Sequence, residues 1–246
     1  MAAPPAPLAM GGGKTGCRVY LITPERLDPV PFADLLAAAL DAGGPPARGP
    51  PGQAPGGMPD PGVAAVQLRL KNTDNEGGDD TWRRAIDALR PVAQSRGVAF
   101  LLNDRADLAK ATGCDGAHVG QDDMAARDAR RLLGPDLTLG VTCKGSRDLA
   151  MQAGEDGADY VAFGAFYPSG SKQVTNLVDP EILHWWSELM ELPCCAIGGI
   201  TPENCAPLVR AGADFLAVIG CVWGHPDGPA AGVRALNAAI AAAQAG

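Results

Sequence analysis

Short runs of apolar residues alternate along the chain with longer stretches in which apolar positions recur every three or four residues. The short runs read as strands and the longer stretches as helices. Strands are predicted over 17–23 (CRVYLIT), 65–70 (AVQLRL), 98–104 (VAFLLND), 116–120 (GAHVG), 138–143 (TLGVTC), 160–166 (YVAFGAF), 194–199 (CCAIGG) and 215–222 (FLAVIGCV). Helices are predicted between and after them, over 31–42, 80–95, a short one from 106, 125–133, 146–154, 179–189, 202–211 and 229–243. Pro31 opens the first helix, Gly134 and Pro135 end the fourth, and Thr201 is placed to cap the seventh. Two near-identical phrases, Asp156-Gly-Ala-Asp159 and Ala211-Gly-Ala-Asp214, precede strands six and eight, and a variant, Cys114-Asp-Gly-Ala117, precedes strand four. Short apolar strands alternating with helices imply an all-parallel sheet. An open doubly wound sheet would use the same alternation. Eight units in 246 residues favour closure into a single-domain (β/α)8 TIM barrel, an α/β fold.

Two segments break the rhythm. Residues 1–16 are rich in Ala, Pro and Gly and read as a disordered tail ahead of a barrel over 17–246. Residues 43–62 contain 14 Gly or Pro and read as a flexible insertion between the first helix and second strand. That connection belongs to the N-terminal face, away from a barrel's chemistry. Gly11-Gly-Gly-Lys-Thr15 resembles a phosphate loop but precedes a strand, and it has Leu8 where a glycine is required.

Composition narrows the classes of function. The net charge is −8, a poor basis for binding a nucleic-acid backbone. No run approaches the roughly 20 apolar residues of a membrane span, and the N-terminus lacks the pattern of a secretory signal, so the chain reads as cytoplasmic. The seven cysteines (17, 114, 143, 194, 195, 205 and 221) form no Cys-x-x-Cys pair and read as buried thiols.

In a barrel the C-terminal strand ends converge on the active site. Alternation puts Gln67, Arg69 and Lys71 on one face of strand two, with Leu68 and Leu70 on the other. Strand three ends in Asn103-Asp104, and strand four is followed by Gln121-Asp122-Asp123. Carboxylates at neighbouring strand ends beside cations suit magnesium held with substrate oxygens, although Asp122 or Asp123 could simply cap a helix. Strand five ends near Thr142, Cys143 and Lys144, and strand six runs into Pro168-Ser-Gly-Ser-Lys172. Gly198 and Gly199 precede a predicted helix start, and Ile219-Gly220 ends strand eight. Glycines and helix starts favour anions. Two anion sites are therefore expected, around strands two to four and six to eight. His118 reads at least as readily as a satisfied core residue as a base, His184 and His225 as peripheral, and Trp185 and Trp186 as packing residues.

These elements together resemble the thiamine phosphate synthase family. The resemblance rests on Gln67-Leu-Arg-Leu-Lys71, Asn103-Asp104, His118-Val-Gly-Gln121 with Asp123, Gly140-Val-Thr142, Gly164 to Lys172, and Ile197-Gly-Gly-Ile200, all in the family's order. It implies a transferase that joins 4-amino-2-methyl-5-hydroxymethylpyrimidine pyrophosphate to a thiazole phosphate and releases pyrophosphate. It implies Mg2+ as cofactor, held by Asp104 and Asp123. Gln67, Arg69, Lys71, Asn103, Thr142 and Lys172 would hold the pyrimidine pyrophosphate, with Arg69, Lys71 and Lys172 stabilising the leaving group. Ser169, Ser171, Gly198, Gly199, Ile219 and Gly220 would hold the thiazole phosphate. Partners are then small phosphorylated molecules, with no nucleic acid or membrane, and a homo-oligomer stays open. The chain departs from the family pattern at Leu70, where an acidic residue is usual, at Thr142 for serine, and at Ser169-Gly-Ser171 for Thr-Glu-Thr. The alternatives are a thiazole tautomerase-like relative and a non-catalytic phosphate-binding barrel.

Overall fold

The computed structural model describes residues 16–43, 62–71, 78–121, 123–169 and 176–246. The first fifteen residues, with the loop-like Gly11–Thr15 run, lie outside them, as does nearly all of the 43–62 insertion.

Eight parallel strands close into a barrel in sequence order, with β8 returning to pair with β1. The strands are β1 (Arg18–Ile22), β2 (Val63–Leu68), β3 (Ala99–Asn103), β4 (Gly116–Val119), β5 (Thr138–Lys144), β6 (Tyr160–Gly164), β7 (Cys194–Ile197) and β8 (Phe215–Val218). The helices are α1 (Pro29–Ala42), α2 (Asp79–Gln94), α3 (Ala106–Thr112), α4 (Ala126–Leu133), α5 (Arg147–Glu155), α6 (Glu181–Leu189), α7 (Ala206–Arg210), α8 (Gly220–Trp223) and α9 (Pro229–Ala245). The predicted barrel is the observed one.

Alternation along each strand divides the apolar residues into two cores. Outward-facing residues such as Leu21, Val66, Leu68 and Leu102 pack under the helices. Inward-facing residues such as Tyr20, Ala65, Leu101, Tyr160 and Phe215 fill the barrel itself.

The recurring Asp phrases close the N-terminal end. Asp115 accepts a hydrogen bond from the N–H of Phe100 (2.7 Å), Asp159 from Leu139 (2.7 Å) and Asp214 from Cys194 (2.8 Å). Each carboxylate ahead of an even-numbered strand thus ties down the start of the odd-numbered strand before it.

Several boundaries move, for local reasons. Helix α1 begins two residues early because Asp28 caps it, accepting from the Val30 N–H at 3.3 Å. Strand β2 occupies 63–68, so Arg69 and Lys71 stand just beyond it. Thr201 caps no helix. The Asn204 side chain instead accepts from the Thr201 N–H (2.8 Å) and donates to the Gly199 carbonyl (2.9 Å), forming a turn that delays α7 to residue 206. The expected helix start directly after β7 is therefore absent. Strand β8 also ends early, and residues 220–222, expected as the end of that strand, fall in α8. There the Trp223 indole N–H donates to the Ile22 carbonyl at 2.7 Å and anchors the turn against β1.

Candidate active site

The C-terminal strand ends surround one cavity of about 1220 Å3. Gln67, Arg69, Lys71, Asn103, Asp104, Asp123, Thr142, Ser169, Gly198, Gly199, Ile219 and Gly220 all line it. Ser171 and Lys172 lie outside the described residues, as does Asp122. The described residues of the two expected anion sites line one continuous space.

One half is cationic. Beyond Ile22, β1 keeps contact with β2: the Thr23 N–H donates to the Gln67 carbonyl (3.0 Å) and the Arg69 N–H to Thr23 Oγ1 (3.0 Å). Glu25 adds two restraints. Its carboxylate accepts from Arg69 Nη1 at 2.6 Å, and its carbonyl accepts from the Lys71 N–H at 3.1 Å. An exposed carboxylate thereby holds a guanidinium whose side chain is only 20% exposed.

Beside these cations, Asp104 and Asp123 crowd together. Asp104 has a left-handed φ of 60°, and its N–H donates to the His118 carbonyl at 2.8 Å. One of its oxygens accepts from Asn103 Nδ2 (2.5 Å) and lies 3.4 Å from Lys71 Nζ. Asp123 folds back over Gly120, where a Cβ would come within 2.4 Å of Asp123 Oδ2. Burial first, then the charge of Asp104 and a hydrogen bond to it, raise the Asp123 pKa, while Lys71 pulls it down. Asp123 caps nothing, since α4 has no side-chain cap. Two carboxylates forced together at the wall of a cavity form a donor set suited to a hard divalent cation. Among the described residues no three His, Cys, Asp or Glu side chains gather at such a point.

The other half is built from backbone. Gly198 and Gly199 have φ of 105° and 63°. Their Cβ positions are already filled by protein: one would lie 2.3 Å from the Ala165 Cβ, the other 2.3 Å from the Pro168 carbonyl. These glycines serve the packing of β7 against the 165–168 segment. Gly220 differs, for a Cβ there would meet nothing within 4 Å. It faces open space at the start of α8.

His118 is a satisfied core residue. It is buried, with Nδ1 bonded to the Tyr160 hydroxyl (2.8 Å) and Nε2 to Thr142 Oγ1 (2.7 Å). Burial pulls its pKa down to about 4, against a smaller opposing effect of Asp123. Burial pushes the Cys143 thiol up to about 12, and this side chain does not reach the cavity. All seven cysteines are free thiols. Trp186 is packed as expected, but Trp185 carries the Arg147 guanidinium 4.5 Å from its ring centroid, and Arg147 lines the cavity.

Three site residues escaped the sequence reading: Glu25, Tyr20 and Tyr160. Glu25 follows a strand end and was findable by the rule that exposed Arg69. The tyrosines sit in apolar strand runs, and only alternation with Ile22 and Ala162 marks them as inward-facing.

A (β/α)8 barrel whose mouth joins a cation–carboxylate half to a backbone half is an enzyme architecture for phosphorylated small molecules. The family profile "Thiamine monophosphate synthase" matches residues 19–222. The chain is 57% identical over 223 residues to the thiamine-phosphate synthase of Rhodospirillum centenum, covering 91% of this chain and 97% of that one. It is 50% identical over 222 residues to that of Hyphomonas neptunium, covering 90% and 92%. Thiamine phosphate pyrophosphorylase from Pyrococcus furiosus superposes with a TM-score of 0.73 at 26% identity, covering 94% of this chain and 98% of that one. The chain belongs to the thiamine-phosphate synthase family, a family of transferases.

Proposed function

We propose that this chain joins 4-amino-2-methyl-5-hydroxymethylpyrimidine pyrophosphate to a thiazole phosphate, giving thiamine phosphate and pyrophosphate. The observation that carries this reading is the single cavity in which the Arg69–Lys71 half faces the Gly198–Gly220 half. Two phosphorylated molecules placed there would meet over its floor, which converts a bimolecular reaction into an oriented one.

In this reading the methylene C–O bond of the pyrimidine breaks and its electron pair leaves with pyrophosphate. The thiazole nitrogen lone pair then forms the new C–N bond. Arg69 and Lys71 bind the departing oxygens and stabilise the charge growing on them. Glu25 fixes the guanidinium of Arg69 in advance, so little reorganisation is needed as the bond breaks. By the family resemblance Lys172 would add a further cation to the leaving group. Asp104 and Asp123 would hold Mg2+, which supplies further neutralisation of the pyrophosphate when bound. Two carboxylates, with substrate oxygens and water completing the shell, are a usual magnesium complement. Gln67, Asn103 and Thr142 hold the pyrimidine. Ser169, the Gly198–Gly199 turn and the Ile219–Gly220 segment hold the thiazole phosphate. No step requires a general base, in keeping with a His118 whose two nitrogens are both engaged.

The test is incubation of the purified chain with both phosphorylated precursors and magnesium. Thiamine phosphate and pyrophosphate should form in equal amounts. Folded protein that binds both precursors and forms no product would instead support a non-catalytic binding barrel.

A further inference from the structure

Two loops meet at the backbone half of the cavity, and they are joined behind it. Beyond β6 and β7 the pairing of the two strands continues. The Phe166 N–H donates to the Ile197 carbonyl (3.2 Å) and the Tyr167 N–H to the Gly198 carbonyl (3.0 Å). The half-buried Tyr167 then reaches further, and its hydroxyl donates to the Asn204 carbonyl at 2.8 Å. The Asn204 side chain accepts from the Thr201 N–H (2.8 Å) and donates to the Gly199 carbonyl (2.9 Å). One residue thus holds the turn after β7 through its side chain and the segment after β6 through its backbone. Neither Tyr167 nor Asn204 lines the cavity, whereas Ser169, Gly198, Gly199, Ile200 and Thr201 do.

These bonds decide which polar groups of the turn remain for a ligand. In a planar trans peptide the C=O and the following N–H point in opposite directions. The Gly198 carbonyl is held by the Tyr167 N–H, so the Gly199 N–H points away from Tyr167. The Gly199 carbonyl is held by Asn204, so the Ile200 N–H points away from Asn204. Two successive peptide planes are thereby pinned by their oxygen ends, and the oxygens that would repel an anion are engaged inside the protein. The N–H groups of Gly199 and Ile200 have no acceptor among the described residues. Successive N–H groups left open in this way make a concavity suited to an anion.

We infer that Asn204 is the positioning residue of the backbone half. By holding the Gly199 carbonyl it presents the Ile200 N–H beside that of Gly199 to a phosphate group, and through the Tyr167 hydroxyl it keeps Ser169 alongside. The inference deepens the proposed function and rests on it for the identity of the ligand, a thiazole phosphate. Without the Asn204 side chain the Gly199–Ile200 peptide is released to turn over, which replaces a donor by a carbonyl oxygen. Tyr167 has the smaller part, because its own N–H still pins the Gly198 carbonyl when the hydroxyl is removed.

The test measures dissociation constants of thiazole phosphate and of inorganic pyrophosphate with magnesium, both without the pyrimidine substrate so that no turnover occurs. Asn204→Ala should weaken thiazole phosphate roughly tenfold and Tyr167→Phe about threefold, and neither should change the constant for pyrophosphate. In turnover the loss should fall on KM for thiazole phosphate, with KM for the pyrimidine pyrophosphate unmoved. Equal losses for both ligands would mark general damage to the barrel and overturn the inference, as would unweakened thiazole phosphate binding by folded Asn204→Ala. A second readout needs no variant. In 15N NMR of the wild-type chain, with pyrophosphate and magnesium filling the other half, inorganic phosphate should shift the Gly199 and Ile200 amides more than that of Thr201. The reverse order overturns the inference. Amides that respond to inorganic phosphate in a chain that forms no thiamine phosphate overturn the proposed function alone.

Discussion

At the N-terminal end of the barrel, Asp115, Asp159 and Asp214 each accept a short hydrogen bond from a backbone N–H of an adjacent strand. At the C-terminal end, Asp104 and Asp123 are pressed against one another, and the backbone of Asp104 is left-handed. The residue type is the same and the physical use is opposite. Below, each carboxylate completes the hydrogen bonding of a strand start and so stabilises the fold. Above, like charges are held together against their repulsion at the wall of the cavity. Asp115 shows that burial alone does not separate the two ends: desolvation raises its pKa, yet bonds from Phe100 and Gln94 oppose the shift. What separates them is whether protein hydrogens or another carboxylate lie alongside.

Substitutions at the two ends should accordingly fail in different ways. Asp104→Ala should reduce magnesium-dependent kcat by at least a thousandfold, roughly 4 kcal/mol of transition-state stabilisation. Its melting temperature should change little, because relief of the repulsion from Asp123 offsets the lost bonds to Asn103 and Lys71. Undiminished turnover would break the contrast at its upper end. Between the two ends, His118 ties stability to pH. Its pKa is about 4 in the folded chain and near 6.5 in its ordinary state, so the unfolded chain binds more protons between those values. Stability should therefore be full above pH 6.5 and fall, by on the order of 3 kcal/mol, as pH drops towards 4. Thermal melts of the wild type and His118→Gln across that window check this, and an equal slope in both removes His118 as the cause.

At the lower end, Asp159→Ala strips partners from the Leu139 N–H and from Arg130. About 2–3 kcal/mol of stability should be lost in denaturant titrations, with kcat at low temperature unaltered. A fall in kcat without a fall in stability would show that the lower carboxylates reach the chemistry. The smallest effect should come from Glu25→Gln. Losing the charge that pins Arg69 should raise KM for the pyrophosphate substrate about tenfold, roughly 1.4 kcal/mol, and leave KM for thiazole phosphate alone. Steady-state kinetics with each substrate varied in turn distinguish the two.

How far the sequence revealed this molecule follows the range of the forces involved. The barrel was legible because eight apolar runs must each bury two faces, and that need is written locally in runs such as AVQLRL and FLAVIGCV. The cation half was legible for the same reason, since alternation alone aims Gln67, Arg69 and Lys71 one way. The Asn204 turn was not, because Thr201 followed by proline is a good local helix start that a side chain three residues on displaces. The strand reading of residues 220–222 failed similarly, because an apolar run is ambiguous until the Trp223 indole finds the Ile22 carbonyl 201 positions away. The tyrosines were the hardest to find. Nothing near Tyr20 in the chain tells of Tyr160, 140 positions away, and the bond between them exists only once the barrel has closed.

The cramped fit of Tyr160 over Gly140 has a consequence for how this chain can change over generations. Any side chain added at position 140 collides with the phenol ring, and shrinking the ring leaves a void beside a His118 Nδ1 that has lost its partner. Each single step is harmful, while a paired exchange of volume from one strand to the other need not be. The two positions should therefore be inherited as a unit, and descendants that depart from Gly140 should carry an altered residue at 160 as well.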